Sequence, residues 1–296
     1  MGERVRFDTW LLGRAQDGGV PHLGCDLECC VSARRDGTVE WPCCLGVRDR
    51  VSGAMLLMEA TPAVEMQVAM LHKLAGVEGR GRRVVDGVLL THAHIGHYAG
   101  LVQFGKEVAS VERLPVYCTT RMADFVRGHA PWSALVSDGC LDLVEIELDA
   151  SGIGSLSPIE GLQIEAIAVP HRDEFSDTVA FRLRGPAQVL LWVPDVDRWS
   201  KHAGLLERLL AGVDVAYVDG TFFDEREALG RDVDEIPHPL MSETMTLLAE
   251  VVAARPGCIR FIHLNHTNRA LRDAALIAEI EAKGFHVPTA GAWVGL

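Results

Sequence analysis

The chain has 296 residues, 48% of them hydrophobic, enough to bury the core of one large α/β domain or two small ones. Its formal net charge of -13, from 28 basic and 41 acidic residues, repels a phosphate-rich polymer, so no nucleic-acid partner is expected. No run reaches the roughly 20 apolar residues of a membrane helix, and MGERVRFDTWLLG at the N-terminus lacks the features of a secretory signal. A cytoplasmic chain without a membrane partner is expected.

Apolar or β-branched runs bounded by Gly, Pro or Asp predict strands over Val5–Leu12 and Ala54–Glu59, then a helix over Pro62–Lys73. A strand follows at Gly87–Leu90, a helix at Tyr98–Val108, a strand at Pro115–Thr119, a helix at Arg121–Ser137 and a strand at Leu143–Leu148. The second half predicts strands at Leu162–Val169, Thr178–Leu183 and Gln188–Val193, a helix at Arg198–Ala211 and a strand at Val215–Asp219. Helix Leu240–Ala254, strand Cys258–His263 and helix Asn268–Lys283 complete the series. The last helix carries an apolar stripe of Leu271, Ala274, Ala275, Ile277 and Ile280 and ends at Gly284. DASGIGSLSP, residues 149–158, is the most turn-rich stretch and falls near the middle, as two similar halves packed into one domain would require. No repeat or long linker interrupts the chain, so residues 1–296 read as a single domain. No Gly-x-Gly-x-x-Gly turn opens a helix, which argues against a dinucleotide-binding domain. The basic run EGRGRRVVD at 78–86 reads as a solvated turn.

The chemistry concentrates in THAHIGHYAG, residues 91–100. His92 and His94, two apart, point to one side of an extended chain, and His97 follows as the backbone turns into a helix. Ligands leaving a strand end and a helix start can converge on one ion, and neutral imidazole suits Zn, Fe, Ni and Cu. Of eight cysteines, five lie early: Cys25, Cys29, Cys30, Cys43 and Cys44. In a reducing compartment such a cluster points to metal more than to disulfides. Cys118, Cys140 and Cys258 read as small buried hydrophobes.

The histidine run resembles the HxHxDH motif of the metallo-β-lactamase superfamily, with Gly96 where that motif has aspartate. The ordered downstream residues strengthen the resemblance: His171 after IEAIAVP, Asp195 after QVLLWVP and His263 in CIRFIHLNHTN. It implies an α/β fold, a four-layer αββα sandwich of two mixed sheets with outer helices. It also implies that His92, His94 and His171 hold one divalent metal, that His97 and His263 help to hold a second, and that Asp195 bridges them. With Gly96 the second position is expected to be weaker, or to have an open place filled by water or another residue. Asp195 stays free for this role because Asp197 is the better N-cap for the helix that follows.

Within the superfamily, LLGRAQDGGVPHLGCDLECC, VPHRDEFSDTVAFRL and FIHLNHTN resemble pyrroloquinoline quinone biosynthesis protein B, whose first motif carries fewer histidines than HAHIGH. A second resemblance is to ribonuclease Z and the phosphodiesterase of the carbon–phosphorus lyase pathway. It implies that His238, in EIPHPLMSETM, donates a proton to the leaving group. It also implies a structural zinc held by Cys25, by Cys29 or Cys30, and by His266, with the third thiolate open among Cys30, Cys43 and Cys44.

Together these predict a metal-dependent hydrolase of a phosphodiester, ester or lactone bond in a small molecule, with one or two active-site metals. Zinc is expected, iron and manganese being the other candidates. Asp17 and Asp173 are the candidates to orient the water in place of residue 96. The alternatives are an oxygenase of the quinone-pathway type, and a non-catalytic metal-binding module on the same fold. The sequence leaves a homodimer open.

Overall fold

A computed structural model describes residues 5–228 and 237–296. Residues 1–4 of the N-terminal stretch and Glu235 and Ile236, just before His238, lie outside the described residues.

The chain begins with β1 (Phe7–Gly13), α1 (Glu28–Asp36), β2 (Cys44–Asp49), β3 (Met55–Met58), α2 (Val64–Leu74) and β4 (Gly87–Leu89). It continues with α3 (Ile95–Tyr98), β5 (Leu114–Thr119), α4 (Thr120–Gly128), α5 (Trp132–Ser137), β6 (Leu141–Ile146), β7 (Ile153–Ile159) and β8 (Leu162–Ala168). Then come β9 (Val179–Arg184), β10 (Val189–Val193), α6 (Leu205–Leu210), β11 (Val215–Asp219), α7 (Met241–Leu247) and α8 (Ala249–Ala254). The last elements are β12 (Ile259–Ile262), α9 (Ala274–Ala282) and β13 (Trp293–Gly295).

Two mixed sheets form. One has the order β13-β1-β2-β3-β4-β5-β6, the other β12-β11-β10-β9-β8-β7. The turn after β6 at residues 149–152 is where the chain leaves the first sheet for the second, and β13 returns to pair with β1. The runs MLLM of β3 and VLLWV of β10 are buried at every position. Alternation then sorts them between layers. Leu56, Met58, Leu190 and Trp192 face the core between the sheets. Met55 and Leu57 pack outward in the cluster that holds Val64 and Leu71 of α2 and Met122 and Val126 of α4. Leu191 and Val193 pack outward in the cluster with Leu209 of α6, Met245 of α7 and Ile280 of α9. The result is the expected αββα sandwich. A continuous apolar run is what a strand covered on both faces demands.

Several predicted helices are shorter than their apolar patterns. Arg121–Ser137 divides into α4 and α5, because the chain turns at His129 and resumes after Pro131, which lacks an N–H for a continuous ladder. Arg198–Ala211 divides into a 3-10 turn at Trp199–Lys201 and α6, with Gly204 between them in the left-handed region at φ 77°. Leu240–Ala254 divides at Leu248 into α7 and α8. Tyr98–Val108 is a 3-10 segment over Ala99–Phe104 after the short α3. The last helix starts at Ala274, where the Asp273 side chain accepts from the N–H groups of Ala275 and Leu276. Elements without a sequence prediction are α1, β2, β7 and β13. Among the described residues no helix is long and apolar enough to cross a membrane.

Candidate metal centre

The site lies where strands of both sheets end. β3, β4, β10, β11 and β12 run to Glu59, Thr91–His97, Asp195, Asp219 and His263, and β8 runs to His171. Short bonds tie the ends together. The Ala93 N–H donates to Ser176 Oγ over 2.9 Å, and the Ala60 N–H donates to the His97 carbonyl over 2.8 Å. The Trp192 indole N–H reaches across the sheets to Glu59 Oε1 at 3.2 Å.

Asp195 is the centre of the cluster. Its Oδ2 lies 3.3 Å from His92 Nε2, 3.9 Å from His94 Nδ1, and 3.6 Å from Nε2 of both His97 and His263. Its Oδ1 lies 3.1 Å from His171 Nε2 and 3.3 Å from His238 Nδ1. All seven residues are buried. Burial alone would raise the Asp195 carboxyl. The imidazoles of His263, His171 and His238 outweigh that and hold it well below the usual range.

The outer nitrogens of His92 and His263 have hydrogen-bond partners that fix the rings, and those of His97 and His171 face a carboxylate at longer range. Thr91 Oγ1 lies 2.9 Å from His92 Nδ1, Glu59 Oε2 lies 3.5 Å from His97 Nδ1 and Asp197 Oδ1 lies 3.4 Å from His171 Nδ1. Thr221 Oγ1 lies 3.1 Å from His263 Nδ1. This is the arrangement that orients metal-ligating histidines. Two of the contributors sit in the left-handed region, Glu59 at φ 73° and His263 at φ 59°. For a residue with a Cβ that costs about 1–3 kcal/mol, a strain typical of functional sites.

The inward atoms have the character of ligands. His92 Nε2, His97 Nε2, His171 Nε2, His263 Nε2, Asp17 Oδ1 and Asp195 Oδ1 are buried with no hydrogen-bond partner. Buried polar atoms left unpaired are costly, and a cation that binds them all removes the cost. Ligand atoms of His92, His94, His171 and Asp195 all lie within 4.8 Å of one another, and so do those of Asp17, His97 and His263. Donors about 2.0–2.1 Å from a tetrahedral zinc are about 3.3 Å apart, close to most of the separations here. The residues fit one or two divalent metals.

His238 differs from the other rings. Its Nδ1 is taken by Asp219 Oδ2 at 2.8 Å, with Thr221 Oγ1 at 3.2 Å. Burial alone would lower its pKa, but the carboxylates of Asp219 and Asp195 outweigh burial and raise it to about 9. The pairing with Asp219 favours the protonated ring.

Of the two carboxylates considered for the place of residue 96, Asp17 lies in the cluster, 3.4 Å from His97 Nε2 and 3.5 Å from His263 Nε2. Asp173 does not join it: its side chain is exposed and faces Arg121 at 3.7 Å. Asp197 is not the N-cap predicted for a helix at 198, since no helix starts there and its carboxylate is turned to His171. Glu59, Asp219 and Thr221 were not singled out in the sequence. Their one signal is an acidic residue closing an apolar strand, in LLMEA and AYVDG.

A second cluster lies apart from the first. Ligand atoms of Cys25, Cys30 and His266 are within 4.8 Å of one another. Cys29 Sγ is 4.0 Å from Cys30 Sγ but falls outside that group. The His22 ring stacks on His266 with centroids 4.4 Å apart. Cys43 and Cys44 are engaged elsewhere: the Cys43 sulfur accepts the His263 N–H, and the Cys44 thiol faces the Glu59 carbonyl. Among the described residues the cluster therefore brings together two thiolates, Cys25 and Cys30, with His266, and neither Cys43 nor Cys44 joins them as the expected third thiolate. Replacing Cys25 with serine should lower the zinc content per chain by one equivalent while leaving the metal at the histidines in place. Elemental analysis checks this, and an unchanged total would remove the structural-zinc assignment.

Comparison with known proteins agrees with this architecture. Over nearly its full length the chain is similar to the coenzyme PQQ synthesis protein B of Methylobacterium sp. (strain 4-46), 25% identical, with 94% of this chain and 96% of that protein aligned. The crystal structure of Zn(2+)-bound PqqB from Methylobacterium extorquens superposes with a TM-score of 0.80 at 22% identity, covering 98% of this chain and all of that one. A diphosphatase from the PhnP family superposes with a TM-score of 0.66 at 17% identity, covering 98% and 97%. The family model described as beta-lactamase superfamily domain matches residues 56–259, more than half of the chain, and with the αββα sandwich around it this protein belongs to the metallo-β-lactamase superfamily.

Proposed function

We propose that the chain is a metal-dependent hydrolase acting on an ester-type bond of a small molecule, a phosphodiester being the first candidate. The observation that carries this reading is the convergence of five imidazoles and two carboxylates, the inward atoms of His92, His97, His171, His263 and both carboxylates buried and unpaired, beside a sixth imidazole whose Nδ1 is paired with a separate carboxylate. His92, His94, His171 and Asp195 would hold one metal, and His97 and His263 would help Asp195 to hold a second. When bound, such an ion lowers the pKa of water to about 7 and polarises the scissile group.

The protein's own groups supply the rest. Asp195 keeps the two halves of the site at a fixed separation. Thr91 and Thr221 hold His92 and His263 by hydrogen bonds, and the Glu59 and Asp197 carboxylates face the outer nitrogens of His97 and His171. Asp219 occupies Nδ1 of His238, which leaves Nε2 to carry the proton that a leaving alkoxide needs. A pure metal-binding module has no use for that dyad.

The full-length likeness to PQQ synthesis proteins favours a second reading, an oxidative step on a small precursor in that pathway. Imidazoles with a carboxylate also suit non-haem iron. Turnover of a panel of phosphodiesters and lactones, after chelation and after zinc or iron is restored, separates the two. Hydrolysis restored by zinc without oxygen uptake supports the proposal; oxygen consumption that depends on iron, with no hydrolysis, overturns it.

A further inference from the structure

We infer that Asp17 and Gly96 are an exchanged pair: the carboxylate of the second metal position is delivered by the N-terminal loop, and residue 96 is glycine so that it fits. The inference rests on the reading of the histidine cluster as a metal site and identifies the ligand that completes it.

The geometry is specific. A Cβ built on Gly96 would overlap Asp17 Oδ1 and would stand 2.6 Å from both Cα and Cγ of Asp17, far inside contact distance. Any side chain at 96 therefore expels Asp17. Asp17 Oδ1 in turn lies 3.4 Å from His97 Nε2 and 3.5 Å from His263 Nε2, and Asp195 Oδ2 lies 3.6 Å from each of the same two nitrogens. Donors of Asp17, His97 and His263 thus lie within 4.8 Å of one another, and Asp195 faces the same two imidazoles from another segment, at carboxylate–imidazole separations close to the about 3.3 Å expected around a tetrahedral ion. Asp17 Oδ1 is itself buried and without a hydrogen-bond partner.

The loop that carries Asp17 is built to stay there. Ala15 bridges Leu264, next to His263, and the Gln16 N–H donates to the Leu264 carbonyl over 2.9 Å. The Asn265 amide donates to Gln16 Oε1 over 2.5 Å, and the Gly19 N–H closes the turn on the Gln16 carbonyl over 2.8 Å. Gly19 takes φ 62°, which the turn needs and which a residue with a Cβ resists. Asp17 is thereby fixed to the same strand end as His263. The second position thereby keeps the carboxylate that Gly96 alone would have cost it.

The test is metal titration of chelator-stripped protein with zinc, read by calorimetry and by the zinc-induced rise in Tm, on wild type, Asp17→Asn, Gly96→Ala and His94→Ala. Asp17→Asn, which keeps size and shape, should weaken the second equivalent at the histidines by at least about tenfold and leave the first unchanged. Gly96→Ala, which leaves Asp17 itself intact, should weaken the same equivalent, because its Cβ displaces the loop at Asp17. Wild-type affinity at both positions in Asp17→Asn would overturn the inference, as would a folded Gly96→Ala with wild-type affinity. If Asp17→Asn does not fold, Gly96→Ala decides alone. Failure of the underlying reading looks different: His94→Ala would then bind zinc as wild type does.

Discussion

Replacing Asp195 with asparagine is expected to empty both active-site metal positions and to abolish hydrolysis. The side chain keeps its shape, so the fold should survive. What is lost is a negative charge that faces six imidazoles between 3.1 and 3.9 Å away. Loss of a group one step outside the ligands costs about 10- to 100-fold in metal affinity, and Asp195 touches the ligand atoms of both positions, so its effect should exceed that range at each. The variant should also respond more weakly to zinc in thermal unfolding than wild type does, since a ligand stabilises only in proportion to its occupancy. Retention of two tightly held equivalents in Asp195→Asn would contradict the bridging role.

His238→Ala should separate proton transfer from metal binding. Metal content should remain as in wild type, because Nδ1 of His238 is committed to Asp219 and its ring is not among the unpaired ligand atoms. Activity on a substrate with a poor leaving group should fall by about 10²- to 10⁴-fold, the usual worth of a positioned acid. With a good leaving group such as p-nitrophenolate the loss should be slight, since that product departs without a proton. The pH profile carries the sign. The pKa of His238 is raised, so the competent acid form exists below it and wild-type activity falls as pH rises through it. The variant should lack that descending limb. An equal loss for both leaving groups, with an unchanged pH profile, would make His238 a structural residue or a ligand instead. Asp195, Asp219, His238 and His263 do lie within 4.8 Å of one another, so the metal content of this variant is the direct control.

How much of this was legible in the sequence follows from burial. Strands covered on both faces, such as MLLM and VLLWV, have no solvent-facing position to hold a polar residue, so they read as unbroken apolar runs. β7 reads as a turn because its Ser, Gly and Pro residues suit a strand at the sheet edge, and β13 has three residues. α1 buries only Cys30 and Ala33, too little for an apolar stripe. The helices divided at Pro131 and Gly204 show the reverse error, in which apolar spacing continues across a break that one proline or one glycine decides.

The site shows the same division. Its imidazoles and Asp195 were legible because three histidines fall within six residues and His171, Asp195 and His263 each follow an apolar run. The groups that hold the imidazoles were not. Glu59, Asp197 and Asp219 look like ordinary residues at strand ends and turns, and only the convergence of two sheets brings them to His97, His171 and His238. Gly96 was legible as a departure from the family motif, but its meaning was not. Position 96 and position 17 are 79 residues apart in sequence, and tertiary contacts such as the bridges of Ala15 to Pro42 and Leu264 hold the loop that sets them side by side.

The most direct test is the metal content of protein purified without added metal, measured on the same preparations as turnover, for wild type and Asp195→Asn, each in a Cys25→Ser background that removes the separate cysteine site. The account predicts that wild type holds metal in that background and hydrolyses a member of the substrate panel, and that Asp195→Asn loses both together. Equal metal content and equal turnover in the two proteins would contradict it.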